Sequence, residues 1–267
     1  MKKELIKSNG ILFSIMIILV GIASLTGWIR ESIYSNNTTE LIIRFRFYDL
    51  SLLSITISIS LISLLFSSRY YTKTKIMTLG ITVYILFSYS VTIFTINQNS
   101  LFLIYIAIIS LCAFYFAKEF ILMVNSKQFE IDKQTIRWMA LITIFSAVSG
   151  FGYWIVDSII ALTLQQSELE KLQVKVPQVL DMAFFLPFTI YGANRMWRGK
   201  KDGILISLTM MTFFILIGLS VIIMEIGLSV KTMSELDYGK VISYTVIFIL
   251  NLIMSVSAYK KLTINKI

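Results

Sequence analysis

The sequence predicts an all-α, polytopic transmembrane helical bundle of about eight spans with both termini on the cytoplasmic side. Three observations carry that prediction. The chain is 57% hydrophobic and 15% charged over 267 residues, with a mean hydropathy of +0.80, whereas a soluble domain carries roughly 25% charge. Its apolar residues gather in runs near the ~20 residues that a helix needs to cross a hydrocarbon core of about 30 Å. Its basic residues gather in every second connection between those runs.

The runs are 10–29, 50–67, 76–95, 101–123, 138–162, 182–197, 203–228 and 241–259. The first follows Lys2, Lys3 and Lys7, as a signal peptide would. Its apolar stretch is too long for a typical signal sequence and no small-x-small cleavage site follows, so a retained helix is expected. The second contains an alternating Ser/Thr–Ile stretch. A barrel is excluded because the other runs are continuously apolar. Read as a helix, it carries two small polar stripes, Ser54/Ser58 and Thr56/Ser60/Ser63, suited to close helix packing. The sixth contains Pro187, Gly192 and Asn194, and its aromatic run still favours a span.

Lys and Arg fix the expected orientation. The N-terminal tail, residues 68–75, 124–137 and 194–202, and the C-terminal tail hold sixteen basic residues. Arg30, Arg44, Arg46, Lys171, Lys175, Lys231 and Lys240 make seven on the other side. The richer side is cytoplasmic. The net charge of +9 then reflects topology and attraction to anionic lipid on the cytoplasmic face, and no nucleic-acid partner is expected. The outer segments 30–49 and 163–181 are too short to fold alone. Residues 40–49, apolar with two arginines, read as an interfacial segment on the outer leaflet or as an aromatic belt with snorkelling arginines.

The two halves resemble each other. Trp28-Ile29-Arg30-Glu31-Ser32-Ile33 ends the first span, and Trp154-Ile155-Val156-Asp157-Ser158-Ile159 ends the fifth. Tyr48-Asp49-Leu50 opens the second span, and Leu180-Asp181-Met182 opens the sixth. Four spans per half is an even number, so a duplication would be parallel, a 4+4 internal repeat about an axis along the membrane normal. The expected organisation is a first four-helix half (1–123), a cytoplasmic linker (124–137) and a second four-helix half (138–267).

Asp49-Leu50, Asn99-Ser100-Leu101-Phe102-Leu103-Ile104-Tyr105, Leu180-Asp181-Met182 with Pro187, and the basic turn Met196-Trp197-Arg198 with Gly199 form a spaced set over roughly residues 45–225. This set resembles a family of uncharacterised bacterial and archaeal multi-span integral membrane proteins, in which Leu usually stands where Met182 follows the Asp. The resemblance implies a multi-span fold, singles out Asp49, Asn99, Tyr105, Asp181 and Pro187, and brings no activity with it.

Chemistry is narrowly bounded. The chain has no His and one Cys, Cys112, so His triads, His–metal sites and His switches are excluded. No cofactor is expected. Tyr48-Asp49 matches one half of an aspartyl intramembrane protease signature, but Gly150-Phe151-Gly152 is followed by Tyr153 and not by Asp. Cys112 reads as a packing residue. Lys118 and Glu119 read as a snorkelling lysine with a nearby acid. Tyr84, Tyr89, Tyr105 and Tyr115 lie in spans three and four, where their hydroxyls need partners.

Glu31, Asp49, Asp157, Asp181 and Glu225 gather at the outer ends of spans. Asp157 and Glu225 lie inside the expected boundary, where ionisable groups are costly. Asp49 and Asp181 precede inward-running helices and read as helix caps, or as part of an outward-facing acidic mouth for a small solute, cation or lipid. The expected ligand set is Asp49, Asp157, Asp181, Glu225, Asn99 and Tyr105, lying between the halves. The composition, rich in Ile and Lys, looks bacterial. Two other readings stand beside a binding or transport protein. One is an accessory subunit that packs laterally on a membrane-protein partner. The other is a lipid-acting enzyme with a carboxylate pair.

Overall fold

The computed structural model describes residues 2–66, 71–163 and 175–266. Eight helices run in order: α1 Lys2–Ile29, α2 Thr39–Phe66, α3 Tyr71–Thr95, α4 Phe102–Ser126, α5 Lys133–Thr163, α6 Val176–Trp197, α7 Lys201–Thr232 and α8 Tyr238–Lys261. A short strand follows α4 (β1, Lys127–Glu130) and another follows α8 (β2, Thr263–Lys266). The fold is all-α. Among the described residues, seven helices are long and apolar enough to cross a membrane. The eighth expected span lies in α2, where the side chains of Ser60 and Ser63 fall outside the described residues, as do Arg69 and Lys171.

The surface is that of a membrane protein. Leu103, Phe114, Phe94, Ile253 and Phe184 are among the large apolar side chains that stand exposed, a surface that lipid covers and water does not tolerate in large contiguous patches. The inner layer is α3 and α7, buried over most of their length, while α4, α5, α6 and α8 bury one stripe and present the rest outward. An added Cβ on Gly80 of α3 would lie 2.4 Å from the Thr212 Cβ of α7. The absence of a side chain there lets the two central backbones approach.

Neighbours follow a pattern. α1 packs on α2 and α4, and α3 packs on α4 and α2. In the second set α5 packs on α6 and α8, and α7 packs on α8 and α6. The sets meet where α3 and α2 lie against α7 and where α3 meets the start of α6. At one end of the bundle β1 and β2 pair antiparallel, Lys127 opposite Lys266 and Glu130 opposite Thr263. Lys73 donates to the Tyr259 carbonyl at 2.5 Å and Lys261 to the Thr135 hydroxyl at 3.0 Å at the same end. The 124–137 segment read as a linker therefore holds the end of α4, β1 and the first turn of α5.

Three expectations change. Residues 40–49 are not an interfacial loop: they are the first turns of α2, which starts at Thr39. Their polar groups find partners inside the protein. Arg44 pairs with Glu225 of α7, and Arg46 donates to the Trp28 carbonyl of α1. Asp49 does not cap α2, because it lies ten residues into it. Asp181 does not cap α6, which begins at Val176 with Pro177 in its first turn.

Three interior tyrosines pair across helices. Tyr84 bonds Ser220 at 2.5 Å, Tyr89 bonds Ser24 at 3.0 Å, and Tyr115 bonds Thr78 at 3.4 Å. Lys75 of α3 reaches the buried Glu119 of α4 at 2.6 Å, so this acid has a partner on another helix. Cys112 packs on Met16.

Candidate functional site

Pro187 shapes the site. It has no N–H to give to the carbonyl four residues earlier, and its ring crowds that carbonyl. The helix widens just before it into a π turn, Asp181–Phe185, in which the Leu186 N–H reaches back to the Asp181 carbonyl. Such turns reorient the side chains that precede them. Here the Asp181 carboxylate faces α5 and accepts the indole N–H of Trp154 at 2.9 Å. Gln178, one turn earlier, donates to the Trp154 carbonyl at 3.2 Å and to the Ser158 hydroxyl at 2.5 Å. The end of α5 is thereby held to the start of α6.

Asp181 lies on the wall of a cavity of about 300 Å³ bounded by α5, α6, α7 and α8. Aromatic rings contribute part of the remaining wall: Phe145, Tyr153 and Trp154 of α5, Phe213 and Phe214 of α7, and Tyr244 of α8; aliphatic side chains, serines and Gly150 make the rest. Ser146 also lines it, and the buried Asn251 of α8 donates to that hydroxyl at 2.8 Å. Among the described residues the amide oxygen of Asn251 has no hydrogen-bond partner. This cavity lies inside the second set of four helices and not between the two sets, where the sequence places the expected site.

The six expected site residues fall into three groups. Asp49, Asn99 and Tyr105 form the first. Asp49 is buried and accepts the Tyr34 hydroxyl at 2.5 Å, delivered by a 3-10 turn at Glu31–Tyr34. The Tyr105 hydroxyl lies within electrostatic reach of Asp49, Tyr34 and Asn99. Asn99 forms an Asx turn just ahead of α4, its side-chain oxygen accepting the Leu101 N–H at 2.9 Å. Gly27 makes the room: an added Cβ would lie 1.9 Å from an Asp49 oxygen. Protein side chains fill this space.

Asp181 and Asp157 form the second group, on adjoining helices. Asp157 is matched by Lys175 at 2.7 Å. Glu225 forms the third. It is buried between Arg44 of α2, at 2.6 Å, and Lys240 of α8. With both of these acids neutralised by cations, Asp181 is the acid that faces open space.

Sequence reasoning missed Tyr34, Tyr153, Trp154 and Tyr244 as site residues. Trp154 stands in the recurring Trp-Ile-x-acid-Ser-Ile pattern, and that recurrence is the one signal that singles it out. Its partner Asp181 lies 27 positions away. Among the described residues no group of three or more His, Cys, Asp or Glu is arranged to hold a metal ion. No protein-family model, curated protein or solved structure matches the chain.

Proposed function

We propose that this multi-pass membrane protein binds a small molecule bearing an ammonium group in the cavity at Asp181. The observation that carries the reading is one acid, free of any nearby lysine or arginine partner in the described contacts, on the wall of a chamber that six aromatic side chains help to line. A carboxylate removed from water needs a compensating charge or donors, and aromatic faces attract cations within about 6 Å. An anion would be repelled by Asp181, and a purely apolar ligand would leave it uncompensated.

We further propose that the chain is a parallel 4+4 repeat. Three observations support it. The neighbour pattern of α1–α4 recurs in α5–α8. β1 and β2 follow the fourth helix of each set, and their antiparallel register exchanges the Lys127–Lys266 and Thr263–Glu130 pairs under a two-fold rotation. The side chain three positions before each aspartate, Arg46 or Gln178, donates to the carbonyl of Trp28 or Trp154. In this reading Asp49 is the counterpart of Asp181, with its space taken by Tyr34. The end bearing β1 and β2 is cytoplasmic by its excess of Lys and Arg, the host membrane is a bacterial cell membrane, and the family is the multi-span one that the motif set resembles. Rocking of one set on the other would convert binding into transport.

A lateral partner is the second reading, favoured by Ser54 and Ser58, two small polar residues exposed on one face of α2. Native mass spectrometry of protein released from lipid nanodiscs tests the first. A discrete bound mass is expected in the wild type and in Asp49→Asn, and lost in Asp181→Asn. Its persistence in Asp181→Asn, or a bare wild-type protein, overturns the reading. A retained second polypeptide favours the lateral partner.

A further inference from the structure

The cavity has a mouth, and the residues around it face the membrane. Five of its lining residues stand on the outer surface of the bundle: Phe145 (49% exposed) and Tyr153 (39%) on α5, and Ile242 (60%), Ser243 and Val246 (43%) on α8. They continue the apolar strips that these helices present outward, Leu141 and Val148 on α5 and Ile249 and Ile253 on α8. An opening whose rim is mainly apolar and continues these strips faces the surface that lipid covers.

Depth fits the same picture. Asp181 is five residues past the start of α6, about 7.5 Å along a helix that rises ~1.5 Å per residue. That is the depth at which headgroup and acyl regions meet, roughly 5–10 Å in. Trp154 is hydrogen-bonded to Asp181 and Tyr153 and Tyr244 line the same cavity, and Trp and Tyr are the side chains that favour the interfacial level of a bilayer. The polar end of the chamber thus lies where a lipid headgroup lies, and its apolar exit lies where a lipid tail lies.

We propose that the ligand is an amphiphile that enters sideways from the bilayer, with its ammonium headgroup at Asp181 and its hydrocarbon tail leaving between α5 and α8. This rests on the ammonium reading above and adds the source of the ligand, the membrane and not the aqueous phase. The tail need not be buried by protein. It concentrates the headgroup at the mouth, since each methylene contributes about fourfold to partitioning into hydrocarbon.

The test uses the full chain in phosphatidylglycerol nanodiscs, whose lipid has no ammonium group. Butylammonium and dodecylammonium are the probes, and native mass spectrometry counts the adducts that Asp181→Asn abolishes. The expected result is an Asp181-dependent dodecylammonium adduct at a bulk concentration at least about a hundredfold below that needed for butylammonium. Ile249→Trp, a change on the exposed α8 strip outside the cavity lining, should weaken the dodecylammonium adduct about tenfold or more and leave butylammonium unchanged. Equal weakening of both probes, or of neither, overturns sideways entry while the ammonium site stands. If neither probe forms an Asp181-dependent adduct, the ammonium reading itself fails.

Discussion

Arg44 of α2 and Glu225 of α7 lie 2.6 Å apart, and this ion pair joins the first four helices to the last four. Lys240 of α8 is held by the same carboxylate oxygen. Glu225 is 5% exposed, while its two cations keep some access to solvent.

Removing the shared anion should therefore cost more than removing either cation. Glu225→Gln leaves Lys240 without its acid and Arg44 with only the exposed Glu40, and is expected to destabilise by on the order of 3 kcal/mol. Arg44→Met leaves Glu225 paired with Lys240 and should cost about 1 kcal/mol. Thermal unfolding of the three proteins in one detergent gives the ranking. Equal losses would refute the shared-anion arrangement.

Tyr34 and Asp49 make a second prediction. Tyr34→Phe deletes the hydroxyl that the buried Asp49 carboxyl accepts, at an expected loss of about 1–3 kcal/mol for leaving a buried polar group without its partner. Gly27→Ala should be at least as harmful, since its methyl would meet both the Asp49 carboxylate and the Tyr34 hydroxyl. Midpoint shifts in the same unfolding assay check both.

Pro187→Ala restores the missing N–H and removes the ring that crowds the preceding turn. Helix α6 should then close its π turn, rotating Asp181 away from Trp154. Stability is expected to hold or rise by up to about 1 kcal/mol, because a helix-interior proline is unfavourable. Ligand retention at Asp181 should fall. A variant that is more stable and still binds fully would show that the π turn is not what aims the carboxylate.

Asp132 gives a pH dependence at the membrane-flanking end of α5. Its carboxylate accepts the backbone N–H of Thr135 at 2.9 Å and the Thr135 hydroxyl at 2.6 Å. These bonds hold it below its ordinary value of 3.8. Because the folded value is depressed, the cap stabilises α5 fully above the unfolded carboxylate range and is lost as pH falls through the folded value. Hydrogen exchange in the first turn of α5 should be flat from neutral pH down to about 4, after correction for the intrinsic rate, and should quicken below it. Asp132→Ala should exchange quickly throughout.

The spans were legible because the bilayer sets a length that each helix must meet on its own, whatever it packs against. The start of α2 was not. Glu40, Arg44, Arg46 and Asp49 interrupt the apolar run, and their partners, among them Glu225 and Tyr34, come from other elements. The same blindness turned Asp49 and Asp181 into caps: each lies inside a helix whose first turns are too polar or too short of apolar residues to read as part of a span. The acids themselves were visible as out of place in lipid. Which of them is neutralised by a cation, as Asp157 and Glu225 are, depends on contacts between distant helices that no local pattern encodes.

The strand pair at one end of the bundle has a bearing on how the protein is made. β1 leaves the ribosome directly after α4, but its hydrogen-bonding edge has no mate until β2 emerges behind α8. During synthesis the first four helices must wait with that edge open while four more are threaded into the membrane. Closure of the pair is thus a late step of biogenesis, and a ribosome stalled between α5 and α8 would expose an unpaired strand that quality-control proteases can recognise.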